Sequence, residues 1–216
     1  AIIQESATEE MAVFTENELL PQNDPFKELK PILSMQEKKH DAFYKTIPYI
    51  AQKLNTMQKE YPPVVTSDGM FASVEGLLHR ISQEGYTEQE IEETLESIKR
   101  LTEEANYAEA AQLLLACAAT ESKFAQFMLA RELYKGVLLG KNISEGFSRM
   151  YRLAMEDYPE ALCDLAQFYE HGVGIDKDRK KAEQFYKEAM DFGIKRAEEH
   201  YARLKKQNRG FFGLIG

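Results

Sequence analysis

What most restricts the fold of this chain is a repeat in its second half. Residues 161–197 carry Ala161, Leu165, Ala166 and Tyr169, then Gly172-x-Gly174-Ile175-x-x-Asp178-x-x-Lys181-Ala182-x-x-Phe185-Tyr186-x-x-Ala189, then Gly193 and Ala197. The same skeleton stands one repeat earlier. Ala125, Leu129, Ala130, Gly136 and Val137 lie 36 positions before Ala161, Leu165, Ala166, Gly172 and Val173. In the second half of the repeat, Tyr151, Ala154 and Met155 lie 35 positions before Tyr186, Ala189 and Met190. A period near 36 with two helical halves marks stacked helical repeats, each of which must bury its apolar face against a neighbour. Arrays of this kind mostly bind other proteins.

The pattern resembles the Sel1-like repeat family, relatives of the tetratricopeptide repeats. The second repeat matches the small and large positions of its first helix, the glycine loop, the Asp, the Lys-Ala and the aromatic pair. The first repeat is looser. Its loop, Gly136-Val-Leu-Leu-Gly140-Lys141-Asn142, reads as one residue longer, Leu138 replaces the second loop glycine, and Gly146-Phe147 stands where Lys-Ala is expected. The resemblance covers about residues 106–208. It implies an all-α fold, an α/α-solenoid of Sel1-like helical pairs with additional N-terminal helices, and a non-enzymatic adaptor or scaffold role. Half units flank the two repeats. Ala118 precedes Ala154 by 36, and Ala197, Tyr201 and Ala202 follow Ala161, Leu165 and Ala166 by 36. The polar helix expected at 195–208 fits the cap that such arrays need. Some secreted relatives bridge the helices of each repeat with paired cysteines. Cys117 and Cys163 form no such pair and have no metal-ligand spacing, which agrees with a reducing compartment.

Each repeat position has a packing role. Ala130, Ala154, Ala166 and Ala189 let helices approach closely. Leu129, Met150, Tyr151, Leu165, Phe185 and Tyr186 fill the space between them. Gly172 and Gly174 permit the positive backbone angles of a tight connection. Asp178 is placed to cap the second helix of its repeat, and Asn142 or Ser144 does so in the first.

The first half of the chain reads as helical regions before the array. Residues 1–24 form an acidic arm or short helix, with Met11, Phe14 and Leu19 as apolar contacts in 5–20. Residues 25–105 form an N-terminal helical region. Ile47, Ile50, Ala51, Leu54, Met57 and Tyr61 follow the spacing of one buried helical face. Pro31 and Pro48 each mark a start or a kink. The two prolines after Tyr61 place a connection at 61–68. A helix follows over 70–84 and stops at Gly85. Thr87-Glu-Gln-Glu90 is a capping-box signature, and it opens a helix running to about Ala105.

Charge narrows the partners. Residues 1–110 hold 10 Lys/Arg against 21 Asp/Glu, and residues 111–216 hold 17 against 15. The first half repels nucleic acid, and the second lacks the positive excess of a nonspecific binder. The basic cluster Lys195, Arg196, Arg203, Lys205, Lys206 and Arg209 reads as a solvated terminal helix or a site for an acidic partner. No apolar run approaches the roughly 20 residues that span a bilayer. The start of the chain lacks a signal-peptide pattern, which reads as cytoplasmic.

No catalytic constellation is visible. His40, His79, His171 and His200 are scattered, with His171 read as an exposed turn residue, and no HExxH, GxSxG, CxxC or dinucleotide motif occurs. The run Gly136 to Lys141 has the wrong glycine spacing for a phosphate loop and lies between helices. No cofactor or metal is expected, and the chain is read as not an enzyme.

Partner-binding residues are expected in two places. The first is a concave stripe on the first helix of each pair: Phe127, Arg131 and Tyr134, then Gln167 and Glu170, then Arg203 and Lys206. Its aromatic and arginine content suits an interface. The second is the apolar tail 209–216, with Phe211, Phe212, Leu214 and Ile215. The tail either folds back on the array, docks in a partner's groove, or makes weak membrane contact beside the basic cap. The leading reading is a cytoplasmic protein-interaction module. The alternatives are an immunity-type inhibitor that neutralises an enzyme through its acidic surface, and a hydrolase with a site in the groove.

Overall fold

The computed structural model describes residues 46–120, 122–156 and 158–212. The expectations on residues 1–45, and on Leu214 and Ile215, lie outside them. The described residues are all-α, of the α/α-solenoid class, and divide into two compact units, 46–149 and 150–212. No helix among them is long and apolar enough to cross a membrane.

The first unit contains α1 (Thr46–Glu60), α2 (Ala72–Glu84), α3 (Glu88–Glu103), α4 (Tyr107–Ala118), α5 (Lys123–Lys135) and most of α6 (Ile143–Met155). α4 is its centre. Apart from Glu109, its sequence carries no charge, and every residue from Ala110 to Ala118 is buried. A helix without a polar face must be covered on all sides, and α1, α2, α3 and α5 all pack on it. α3, which precedes α4 in the chain, packs against it as the other arm of a helical hairpin. α1 buries Ile50, Leu54 and Met57, and Tyr61 just after it is buried as well, four members of the stripe that the spacing predicts. The capping box of α3 is formed. The Thr87 hydroxyl accepts from the Glu90 amide, and the Glu90 carboxylate accepts from the Thr87 amide.

Gln112 is the one side chain of α4 with an amide, and it organises the connection before α2. Its oxygen accepts from the Phe71 amide at 3.1 Å, and its nitrogen donates to the Gly69 carbonyl at 2.7 Å. A second long-range tie joins Pro62–Val64 to the α5–α6 loop. The Val64 amide donates to the Leu138 carbonyl, and the Gly140 amide to the Pro62 carbonyl, both at 2.9 Å. Proline is tolerated in this bridge because it lies at an edge. Leu138 and Leu139 are buried beneath it, which accounts for leucine where a second loop glycine is expected. The buried Glu132 carboxylate accepts from the amides of Val137, Leu138 and Leu139 and so shapes the same loop. Burial pushes its carboxyl above the usual range, against those three donors.

The two repeat loops have one length, contrary to the sequence reading. Gly136 and Gly172 end α5 and α7 (Pro159–His171) in the left-handed region, with φ of 71° and 75°. Six positions later, Asn142 and Asp178 cap the helices that follow. The offset of 36 therefore holds through the second helix, and the offset of 35 is corrected. One residue turns a helix by about 100°, and exposure decides between the two registers. Met150 and Tyr186 are both 0% exposed, whereas Tyr151 is 43% exposed.

The corrected register explains Gly146. It falls in line with Ala110 and Ala182, both buried small residues. A Cβ at Gly146 would sit 3.1 Å from the Ala130 carbonyl oxygen of α5. The α5–α6 crossing is thus closer than alanine accepts without movement.

The second unit holds the end of α6, then α7, α8 (Arg179–Asp191) and α9 (Lys195–Phe212). α8 packs on both α7 and α9 and turns Ala182, Tyr186 and Ala189 inward. α9 runs four residues past the expected end at 208, so the apolar tail begins inside the helix, and Phe211 and Phe212 are its last residues.

Helix propensity alone would make Gly146→Ala stabilising by about 1 kcal/mol. The close crossing is expected to cancel that gain, and Gly146→Val is expected to cost roughly 1–3 kcal/mol through overpacking. Chemical denaturation of the two variants measures both, and a clear gain for alanine would refute the close crossing.

Candidate functional site

In the second unit, three of the seven stripe residues come together. α7 brings Gln167 and Glu170 to one face, α8 adds Tyr186, and α9 adds His200 and Arg203. Glu170 is buried, and its carboxylate accepts from the Tyr186 hydroxyl at 2.7 Å. Arg203 grips the same carboxylate with both terminal nitrogens, at 2.7 and 2.9 Å. Such a forked pair is strong and directional. Burial, with the Glu170 charge adding to it, holds the Tyr186 hydroxyl protonated far above its usual range.

His200 stacks on Tyr186, with ring centroids 5.3 Å apart and planes 6° from parallel. Arg203 Nη2 lies 3.1 Å from His200 Nδ1. A guanidinium only donates, so Nδ1 accepts and the ring is neutral. Its proton is then on Nε2, 3.3 Å from the terminal side-chain amide of Gln167, which accepts it only with its oxygen, not its nitrogen, turned to the ring. Burial, followed by the Arg203 charge, lowers the His200 pKa. His171 is half-buried rather than exposed at a turn, and its pKa is also lowered, first by burial.

Beside this cluster lies an ion triad that the sequence reading missed. Arg196 is buried. Its Nη2 donates to Glu160 Oε2 and to the Glu160 carbonyl, each at 2.7 Å, and its Nη1 donates to Asp164 Oδ1 at 2.5 Å. Burial works against the guanidinium charge, but Asp164 and Glu160 outweigh it, so Arg196 is held charged more firmly than usual. The available signal was the 36-residue spacing of Glu160 and Arg196, an opposite-charge pair at one register position. Arg196 therefore leaves the expected basic patch for the interior, and Lys205 turns toward the Tyr201 hydroxyl at 3.1 Å.

The structure changes the stripe from an open surface to a largely internal one. In the first unit Phe127, Arg131 and Tyr134 are buried. Their helix α5 packs on α3 and α4 and is covered nearly all round. Arg131 lies over the Phe127 ring at 5.2 Å. In the second unit Gln167 and Glu170 are buried too, because the cluster satisfies them internally. Arg203, with 42% of its side chain exposed, and Lys206 remain accessible.

The chemistry of the cluster is that of a structural network. One carboxylate, a forked arginine, a protonated tyrosine and a neutral histidine satisfy one another. Among the described residues no group of His, Cys, Asp or Glu is arranged to hold a metal. A depression of about 350 Å³ in the first unit, between α1 and the 65–70 connection, has Asp68 as the one ionisable group in its lining.

Two outcomes follow. Arg196→Met strands two buried carboxylates and is expected to cost about 3–5 kcal/mol, whereas replacing all three members with apolar residues is expected to be neutral or stabilising; thermal unfolding of both variants checks this. The lowered His171 and His200 pKa values mean that the unfolded chain takes up protons first. Their contribution to stability is whole above about pH 6.5 and is lost as pH falls through the depressed folded values. The melting temperature is expected to fall with acidification over this window, and less steeply in His200→Phe. Identical slopes in the two proteins would show that His200 does not contribute.

No family model matches the chain, and no curated protein matches it. Among solved structures it is similar to a Sel1 repeat protein from Oxalobacter formigenes, with 22% identity and a TM-score of 0.45 over 62% of this chain and 99% of that one. It is also similar to c5321, a protective antigen present in uropathogenic Escherichia coli strains and displaying an SLR fold, with 20% identity and a TM-score of 0.46. That match covers 53% of this chain, which spans 25% of the other. The first of these carries the name of the repeat family that the 36-residue pattern of this chain resembles.

Proposed function

We propose that the chain is a non-enzymatic protein-interaction module, an adaptor or scaffold whose repeats position surface residues for a protein partner. The observation that carries this reading is that the buried members of the 36-residue pattern are committed to packing. Met150 with Tyr186, and Gly146 with Ala182, face inward at matching positions. Their spacing thus sets the backbone, and the residues between them are left to vary at the surface. The cluster around Glu170 supports the same reading, since its carboxylate is already engaged by the Tyr186 hydroxyl and the Arg203 guanidinium.

The accessible end of the stripe, Arg203 and Lys206 on α9, is the proposed partner surface. Arg203 is held in a fixed orientation by Glu170, so it presents its remaining donors with little entropy left to lose on binding. The partner is proposed to offer carboxylates there. A reducing, cytoplasmic location is proposed on the two buried free thiols, Cys117 and Cys163.

Affinity purification of the full chain from native cytosol tests this. A specific protein is expected to be retained at low salt and lost in Lys206→Glu, whose site is exposed and leaves the fold intact. Retention of the same protein by the variant removes α9 as the surface. Failure to retain any protein over a control bait argues against the module itself.

A further inference from the structure

The depression in the first unit has a wall whose shape is fixed by hydrogen bonds. Pro63 and Val65 line it while Pro62 and Val64 do not, the alternation of an extended segment. It is Pro62 and Val64 whose backbone groups bond to the α5–α6 loop. The chain then turns at 67–69. The Ser67 hydroxyl donates to the Gly69 carbonyl at 2.5 Å. The buried Gln112 side chain donates to the same carbonyl and to Ser67 Oγ, at 2.7 and 3.3 Å. This turn places Asp68 in the lining, with Val65 and Met70, 44% and 41% exposed, on either side of it in the chain. The facing wall is α1, which contributes Asn55 and Gln58. Three residues apart, they share one face of the helix. Among the described residues, neither of these two carboxamides is taken up by a hydrogen bond.

We propose that this depression binds a short extended peptide of a partner protein, with a lysine or arginine side chain set against Asp68. Each carboxamide of Asn55 and Gln58 holds donors and an acceptor, which is what a peptide unit needs on its free edge. Asp68 is the one ionisable group in the lining, so charge there selects a cation. Val65 and Met70 offer apolar contact to the residues that flank it. The size of the site argues for an extended ligand. One turn of α-helix, about 10 Å across and 5.4 Å long, fills more than the roughly 350 Å³ that the depression provides. Because Gln112 and Ser67 already hold the 67–71 wall in place, little ordering remains to oppose binding. The site belongs to the first unit and goes beyond the α9 surface, so either can fail without the other.

The test titrates the isotopically labelled full chain with acetyl-Val-Lys-Val-amide at low salt and follows its amide NMR signals. Saturable shifts are expected at residues 55, 58 and 63–70. Replacing the lysine with norleucine is expected to weaken binding roughly two- to five-fold, the range of an exposed ion pair. Methylating the central peptide nitrogen, which removes a backbone donor, is expected to weaken it further. Asp68→Ala is expected to bind the lysine and norleucine peptides equally, and Asn55→Ala with Gln58→Ala to weaken both alike. Asp68 and Asn55 are exposed and Gln58 is half-buried, so circular dichroism is expected to show an unchanged fold in these variants. No saturable shift at these residues with millimolar peptide, or shifts confined to other residues, would overturn the proposal. So would equal binding of the lysine, norleucine and N-methylated peptides by the unaltered chain.

Discussion

The hairpins depend on how closely their two helices can cross. At Ala110, Gly146 and Ala182 the chain places a side chain of one carbon or none, and at Gly146 the neighbouring backbone oxygen already occupies the edge of the space a Cβ needs. Interior packing tolerates neither a void nor an overlap. That crossing fixes where α6 lies on α5, and with it the loop between them. The loop is then held by local means: a left-handed glycine ends one helix, and an Asn or Asp six residues on starts the next. The larger residues, Met150 and Tyr186, are determined by what the small ones allow.

Buried polar groups supply the specificity that apolar packing lacks. Gln112, Glu132, Glu170 and Arg196 each make bonds that only one arrangement of neighbours satisfies. Arg149 does the same near the surface of the first unit. It donates to Glu145, to Gln126 and to the Tyr61 hydroxyl, and its guanidinium lies 4.9 Å from the Tyr61 ring centroid. Burial, set against these donated bonds, pushes the Tyr61 hydroxyl up to about 12. Such groups add little net stability, because desolvation offsets most of the attraction. They penalise the alternatives instead, since a shift by one residue would leave charges unsatisfied.

Much of the fold was legible because it is local. The capping box at Thr87, the stop at Gly85, the connection after Tyr61 and the cap at Asp178 are decided within a few residues of chain. The register of α6 was not legible, because Tyr151 matches Tyr186 in identity while Met150 matches it in burial, and identity is the weaker guide. The candidate site was harder still. Charge on α9 reads from sequence as solvated, but Arg196 answers to carboxylates 32 and 36 positions away on another helix. The stripe at Phe127, Arg131 and Tyr134 had the right spacing, but spacing identifies a face and not whether that face is left open.

The bridge between Pro62–Val64 and the α5–α6 loop bears on how the first unit folds. A plain array has nearest-neighbour contacts only, so it can fray or be shortened from either end one hairpin at a time. Here the entry segment is paired with the far loop, and Tyr61 is tied to Arg149 88 positions on. Closing so long a stretch costs chain entropy before any contact rewards it, which slows folding relative to a purely local stack. In return the ends of the unit are coupled. It loses the graded, piecemeal unfolding of a repeat protein and takes on the all-or-none behaviour of a globular domain.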